Sequence, residues 1–164
     1  LFTDLLQFQH PEILNCVDKL LDNHIEEGSG NNICIRTFDT VWTYQDLYEK
    51  ANQIAHVLVE DLNFKSGNRV LIRSANNPMM VACWFAVLKA GGIVVATMPL
   101  LRSKELSTII DCAEISHALC DKELEEEMNL VQSNFLKKVS LWHLCLTVTY
   151  MKVIKFHLSL FGQS

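Results

Sequence analysis

A glycine pair, Gly91-Gly92, separates two apolar segments in the middle of the chain and constrains its fold more than any other feature. Residues 79–90 are apolar on nearly all sides, which predicts a helix that is covered on most of its faces. Gly91 suits the end of this helix, because a residue without Cβ enters the left-handed conformation at little cost. Residues 93–96 follow as a predicted buried strand. A helix that passes through a tight turn into an apolar strand indicates an α/β unit.

The same alternation extends along most of the chain. Through Lys138 the apolar spacing switches between helical and strand periods, with short polar or glycine-bearing breaks. This pattern predicts the α/β class, as a partial doubly wound, mostly parallel sheet with right-handed crossovers. Thr43 and Ser103 are the expected N-caps of two of the helices. The predicted strands are 33–37, 41–44, 69–73, 93–96 and 117–120, and the predicted helices are 11–25, 44–62, 79–90, 104–113 and 122–138.

Composition excludes several classes of function. The chain has 164 residues, 49% of them hydrophobic and 20% charged, so it is long and apolar enough for one sizeable core. Its net charge of −5 gives no reason to expect a nucleic-acid partner. The six cysteines lack Cys-x-x-Cys spacing and are interpreted as small hydrophobic residues in a reducing compartment, either the cytoplasm or the mitochondrial matrix. The six histidines are scattered, and no metal site is predicted.

The chain changes character near Val139, so we predict a first portion over 1–138 and an atypical apolar tail over 139–164. The tail contains two lysines but no acidic residue. Residues 141–161 are long enough to span a bilayer, which takes about 20 apolar residues, but the lysines and histidines inside this stretch disfavour a membrane helix. Alternating apolar residues in 144–150 are also compatible with β-strands. Our preferred hypothesis is a substituted end, produced by alternative splicing or an error in the gene model.

An ordered series of motifs resembles the front portion of one enzyme family. The helix start Trp42-Thr43-Tyr44, the strand segment 67–72, the helix entry Asn77-Pro78 and the helix-glycine-strand run 88–99 occur in this order. Together they resemble the adenylate-forming (AMP-binding) acyl-CoA synthetases. The resemblance covers 11–128 and implies the N-terminal part of the large domain of such an enzyme.

Three shorter segments narrow the resemblance within the family. Residues 76–78, 83–87 and 97–102 are most similar to ligases for benzoate-type acids, particularly 2-aminobenzoate, and next most similar to medium-chain fatty acid ligases. The resemblance implies that the parent enzyme uses ATP, Mg²⁺ and coenzyme A. It would convert a small carboxylic acid to an acyl-adenylate and then to a thioester.

The resemblance assigns no catalytic residue to the chain. The family's phosphate loop ending in Pro-Lys-Gly, its Tyr-Gly-x-Thr-Glu segment, its ribose-binding aspartate and its catalytic lysine have no counterpart in this sequence. We therefore expect the chain to be inactive alone and to bind none of these cofactors tightly. The alternative hypothesis is a noncatalytic truncated product or interaction module. A nicotinamide-binding domain is disfavoured, because no Gly-x-Gly-x-x-Gly follows an early strand.

One loop is the candidate site. Thr97, Met98, Pro99, Leu100 and Arg102 lie just beyond a predicted parallel strand, at the end of the sheet where α/β proteins bind ligands. The resemblance implies that this loop passes near the coenzyme A channel, where Arg102 would lend its charge to a phosphate. The alternative is a packed loop with an exposed arginine.

Other local patterns favour structural roles. Gly28-Ser29-Gly30 lacks a following Gly-Lys-Ser/Thr and is interpreted as a loop. The acidic run 123–127 is interpreted as a solvated helix face. A sheet that is cut off partway leaves an unpaired edge and uncovered apolar surface, so we expect self-association.

Overall fold

The structure, a computed structural model, describes residues 14–142 and the backbone of 152–155. The strands are β1 (Ile33–Arg36), β2 (Val41–Thr43), β3 (Arg69–Arg73), β4 (Ile93–Thr97), β5 (His117–Asp121), β6 (Lys138–Trp142) and β7 (Lys152–Lys155). The helices are α1 (Asn23–Glu26), α2 (Tyr44–His56), α3 (Pro78–Lys89), α4 (Ser103–Cys112) and α5 (Glu125–Asn129). A π-helical turn over Asp18–Asp22 precedes α1, another over Val57–Asp61 continues α2, and a 3-10 turn over Lys122–Leu124 precedes α5.

Within the described residues, the main sheet has five strands in the order β4-β3-β5-β6-β7. β3 pairs in parallel with both β4 and β5, β6 pairs in parallel with β5, and β7 runs antiparallel to β6. β1 and β2 form a separate antiparallel hairpin. The predicted α/β class with a mostly parallel sheet is confirmed.

Helices cover both faces of this sheet. Val70 and Ile72 of β3 face a core that contains buried residues of α2 and α3, whereas Leu71 faces a second core with buried residues of α4 and α5. Successive side chains of a strand point to opposite faces, so a strand that is apolar throughout fits a sheet buried on both sides. The doubly wound arrangement is therefore present in the described residues.

Two of the helix starts form as the sequence predicts. The hydroxyl of Thr43 accepts the Asp46 amide at 3.1 Å, and the Asp46 carboxylate accepts the Thr43 amide at 2.8 Å, which completes a capping box. Asn77 caps α3 by accepting the Met80 amide at 2.8 Å. The prediction for α4 was wrong by one residue, because Ser103 is the first residue of that helix and Arg102 is its N-cap.

The prediction that 93–96 forms a buried strand was wrong. β4 lies at the edge of the sheet, and among the described residues it pairs only with β3. Ile93 is 49% exposed as a result. α3 is also less covered than predicted, since Trp84 on its outer face is 41% exposed. Val94 and Val95 of β4 still pack against the two cores, one on each face, so the described residues leave β4 uncovered along its outer edge.

The prediction of one helix over 122–138 was also wrong. α5 ends at Asn129, and an irregular segment leads from it to β6. The buried side chains of Val131 and Leu136 belong to the same core as α4, which requires the chain to turn back toward the sheet. Ser107 stabilises this turn by accepting the Gln132 amide at 3.1 Å.

The predicted boundary at 138/139 falls inside β6, after its first residue, and stays a prediction. β6 pairs with β5 along its whole length. The tail interpretations that concern 143–151 and 156–164 lie outside the described residues. Among the residues that the structure describes, no helix is both long and apolar enough to cross a membrane.

The glycine pair acts as predicted at the helix exit. Gly91 adopts a φ of +73°, in the left-handed region that glycine favours. Gly92 is required for packing, because a Cβ at this position would lie 2.5 Å from the Phe64 ring. The pair therefore lets the chain pass from α3 into β4 directly against the core.

A buried histidine lies at the opposite end of the sheet from the candidate site. His117 contacts the Leu62 carbonyl through Nε2 at 3.2 Å and the Ser116 hydroxyl through Nδ1 at 2.7 Å. These contacts fit a neutral ring that donates from Nε2 and accepts at Nδ1. Burial, together with the nearby Lys138 and Lys137 ammonium groups, lowers the pKa of His117 below its ordinary value.

The depressed pKa of His117 predicts a loss of stability in mild acid. His117 binds a proton more readily in the unfolded chain than in the folded protein. The free energy of unfolding is therefore highest above the unfolded pKa of 6.5 and declines as the pH falls through that value. Urea unfolding at pH 7.5 and pH 5.5 will show a larger loss for wild type than for His117→Gln. His56→Gln, at an exposed position of α2, is the control and will keep the wild-type dependence. An equal loss in wild type and His117→Gln would contradict this assignment.

Candidate functional site

The candidate site lies at the carboxyl ends of β3, β4 and β5. The register places Arg73 beside Thr97 on one side and beside Cys120 on the other. β3 leads into α3 on one face of the sheet, whereas β4 leads into α4 on the other face. Ligands of open α/β sheets bind where the connections diverge in this way. The topology therefore brings the predicted loop to the expected binding edge.

The five predicted site residues lie together at the end of β4 and in the segment that follows it. The Thr97 hydroxyl donates to the Ile72 carbonyl at 3.3 Å, which fixes the end of β4 against β3. Pro99 is half-buried. Met98 and Leu100 are 62% and 83% exposed, so they project apolar surface away from the protein. This loop can offer apolar contacts to a ligand, but its side chains provide no nucleophile or general base.

Arg73 is a functional candidate that the sequence reasoning missed. Its guanidinium is buried at the end of β3, and no carboxylate of the described residues forms an ion pair with it. It donates instead to backbone carbonyls of Met98 (3.3 Å), Pro99 (3.0 Å), Leu101 (2.8 Å) and Leu124 (3.5 Å). The sequence offered one signal for a buried Arg73, which is its position directly after the apolar run Val70-Leu71-Ile72. A strand that is buried along such a run also buries the residue at its end.

Arg102 is the exposed cation of the site. Its guanidinium is 81% exposed and lies 3.6 Å from the Glu127 carboxylate. The Arg102 amide donates to Glu105 at 3.1 Å, and the Ser103 amide donates to Glu127 at 2.7 Å. Two carboxylates of the protein therefore bind the amides at the start of α4, where a helix attracts anions.

The position of Glu127 shows that the acidic run 123–127 is not solvated throughout, contrary to the interpretation from the sequence. Its side chain is half-buried against the start of α4, whereas its neighbour Glu126 is exposed. The hydrogen bond from the Ser103 amide lowers the pKa of Glu127, and the nearby Arg102 guanidinium adds to this effect. The sequence reasoning missed this role because the contact joins residues on different helices.

The other local candidates stay structural. In the loop 28–30, the Ser29 amide donates to the His24 carbonyl and the Gly30 carbonyl accepts the Gln45 amide, so its polar groups bind the chain itself. Within 14–142, no group of three or more His, Cys, Asp or Glu side chains is arranged to hold a metal ion.

The family of the chain follows from a match to known proteins. The family model described as "AMP-binding enzyme" matches residues 22–149. The chain belongs to the AMP-binding enzyme family. The matched region includes β1 to β6 and the whole candidate site.

Two curated relatives illustrate the similarity. The long-chain fatty acid transport protein 6 of Mus musculus is 28% identical over 131 residues, which is 80% of this chain and 21% of that protein. An uncharacterized acyl-CoA ligase of Bacillus subtilis is 33% identical over 82 residues, which is 50% of this chain and 15% of the relative. The chain thus spans about a fifth or less of the length of these relatives.

Two solved structures share the fold. An anthranilate CoA ligase in complex with anthranoyl-AMP superimposes with a TM-score of 0.71 at 22% identity, over 81% of this chain and 26% of that one. A benzoate CoA ligase from Burkholderia xenovorans gives a TM-score of 0.69 at 16% identity, over 80% of this chain and 26% of its own. At this identity, the likeness establishes the AMP-binding enzyme fold.

Glu127→Gln is expected to destabilise the protein at neutral pH, because the charged carboxylate favours the folded state through the Ser103 amide and Arg102. The pKa of Glu127 is lower in the folded protein than its value of 4.5 in the unfolded chain. Its carboxylate therefore contributes fully to the free energy of unfolding above pH 4.5, and this contribution is lost as the pH falls through the folded pKa. Urea unfolding will therefore show a larger difference between wild type and variant at pH 7 than at pH 4. Glu126→Gln removes an equal charge from the same helix and is the matched control. A similar effect from both variants would refute a specific role for Glu127.

Proposed function

We propose that this chain is part of an acid–CoA ligase. The enzyme would convert an aromatic or medium-chain carboxylic acid and ATP to an acyl-adenylate, and would then transfer the acyl group to coenzyme A. The observation that carries the proposal is the family match over 22–149, which includes the ligand-binding edge of the sheet. The fold shared with anthranilate and benzoate CoA ligases supports the class of acid.

We further propose that residues 97–102 contact coenzyme A in that enzyme. The exposed side chains of Met98 and Leu100 offer apolar contacts at the carboxyl edge. Arg102 is the available cation for a phosphate, and phosphate binding there would require Arg102 to exchange its contact with Glu127.

The residues for ATP and Mg²⁺ chemistry are proposed to lie outside this chain. The family's phosphate loop and catalytic lysine have no counterpart in the sequence, and no metal-binding cluster occurs within 14–142. We place the enzyme inside the cell, in the cytoplasm or the mitochondrial matrix. The free thiols of the described cysteines are compatible with such a reducing compartment.

Carboxylate-dependent exchange of pyrophosphate into ATP tests the function directly. The purified chain will show no exchange with benzoate, 2-aminobenzoate or octanoate, because the groups that stabilise the charge on phosphate are missing. The longer polypeptide obtained by sequencing the transcript past codon 138 will show exchange with at least one of these acids. Exchange by the chain alone would overturn its proposed inactivity. The ligase proposal would be contradicted if the longer polypeptide showed exchange with none of the acids. It would also be contradicted if the transcript encoded no longer polypeptide.

The alternative function is a noncatalytic interaction module that associates with a second copy of itself. The observation that favours it is the edge strand β4, whose outer backbone is unpaired among the described residues. β4 contains Ile93, Val94 and Val95 and lacks the lysine or proline that blocks edge pairing in many proteins. Pairing of two β4 strands would extend the sheet across both copies.

Ile93→Lys is expected to shift the chain toward monomer, because it places a charge at the half-exposed start of the β4 edge. Sedimentation velocity over a range of protein concentrations will measure the change. Phe38→Lys introduces the same charge at the exposed tip of the β1–β2 hairpin and will leave association unaltered. If both variants associate as wild type does, or if wild type is monomeric throughout, pairing through β4 is wrong.

A further inference from the structure

Three backbone carbonyls of the candidate loop, those of Met98, Pro99 and Leu101, accept hydrogen bonds from one buried cation. We propose that Arg73 is a positioning residue that fixes the backbone of residues 98–101 and thereby holds Met98 and Leu100 in place as contacts for the thiol substrate. The contact with a thiol substrate rests on the proposed function. The positioning itself follows from the geometry around the guanidinium.

The first argument concerns the hydrogen bonds of the buried Arg73 guanidinium. Nη1 donates to the Met98 carbonyl at 3.3 Å, and Nη2 donates to the carbonyls of Pro99 at 3.0 Å and Leu101 at 2.8 Å. The Arg73 side chain is 1% exposed, so water cannot replace these acceptors without opening the loop. A buried charge that loses its hydrogen bonds is strongly destabilised, and this penalty holds the carbonyls in position.

The second argument is that the described residues supply few other hydrogen bonds to the loop, although Leu101 also packs against the core of α4 and α5. The loop's own backbone contributes the bond from the Leu101 amide to the Met98 carbonyl, at 3.2 Å. Pro99 has no amide hydrogen to donate. With three carbonyls directed inward to Arg73, the side chains of Met98 and Leu100 are directed to solvent, where they are 62% and 83% exposed.

The third argument is the chemistry of arginine. Its planar fork presents five N–H donors in fixed directions, whereas a lysine at the same position has one compact ammonium group. Nε of Arg73 also reaches the Leu124 carbonyl at 3.5 Å, which links the loop after β4 to the turn after β5. One side chain on β3 thus connects the segments that follow both of its neighbouring strands, β4 and β5.

Nitrogen NMR of the wild-type chain tests the geometry without any substitution. Bonds to several fixed carbonyls hinder rotation of the guanidinium, so Arg73 is expected to give separate Nη1 and Nη2 signals that exchange slowly with water. Arg69 is exposed, and among the described residues its ion pair is the long contact with Glu114, at 3.8 Å, so it will give one averaged signal. An averaged signal from Arg73 would overturn the proposal.

Hydrogen exchange separates positioning from general stability. In Arg73→Lys, the amides of Met98, Leu100 and Leu101 are expected to exchange about tenfold faster, while the amides of β3 and β5 keep rates close to wild type. Arg69→Lys is the matched control on the same strand and will leave the loop unchanged. Uniformly faster exchange in loop and strands would assign Arg73 a merely structural role, and unchanged loop exchange would contradict the proposal. If Arg73→Lys does not fold, the wild-type NMR result decides.

Kinetics of the longer enzyme test the consequence for the substrate. Arg73→Lys is expected to raise KM for coenzyme A about tenfold, and by more than it raises KM for ATP in pyrophosphate exchange. Equal changes in both constants would contradict a role at the thiol substrate. Absence of any exchange by the wild-type enzyme would reject the ligase function instead, while the NMR and hydrogen-exchange results would still decide whether Arg73 orders the loop.

Discussion

Burial of β3 on both faces is the constraint on which the rest of the structure depends. Val70, Leu71 and Ile72 are all fully buried, and they supply both cores of the protein from one strand. Two layers of helices are needed to cover such a strand, because apolar surface left in water costs roughly 25 cal/mol per Å². The positions of α2 and α3 on one face and α4 and α5 on the other follow from this requirement. β3 also ends at Arg73, so the same strand that forms the core extends to the candidate site.

The carboxyl edge of the sheet combines a rigid backbone with exposed side chains. Arg73 satisfies its buried charge with carbonyls of the loop, and Glu127 and Glu105 satisfy the amides at the start of α4. Both arrangements use charged hydrogen bonds to backbone groups, which are stronger than neutral ones. The apolar side chains of the loop take no part in these bonds and are left facing solvent. This division between a fixed backbone and available side chains is what a contact surface for a substrate requires.

Much of the fold can be predicted from local patterns in the sequence. The Thr43 cap, the helix start at Asn77-Pro78 and the left-handed Gly91 depend on residues within a few positions of each other, and all three occur as predicted. The helix over 122–138 was mispredicted because its acidic start is helical, while the burial of Val131 and Leu136 against α4 decides the path that follows. The loop of the candidate site was predicted from its place after a strand. Its anchoring by Arg73 was not, since residues 73 and 101 are far apart in the sequence.

The sequence by itself determined the order of helices and strands as far as β5, the cap at Thr43, the turn at Gly91 and the family, because these depend on periodicity and on short motifs. Only the tertiary structure decided that β4 lies at an edge, that Glu127 caps a distant helix and that Arg73 binds three loop carbonyls. The physical reason is that burial, strand neighbours and hydrogen-bond partners are set by contacts between segments that are remote in the chain. The sequence pattern of an apolar strand is the same at the edge of a sheet and in its interior. The sequence likewise does not distinguish a buried arginine from an exposed one.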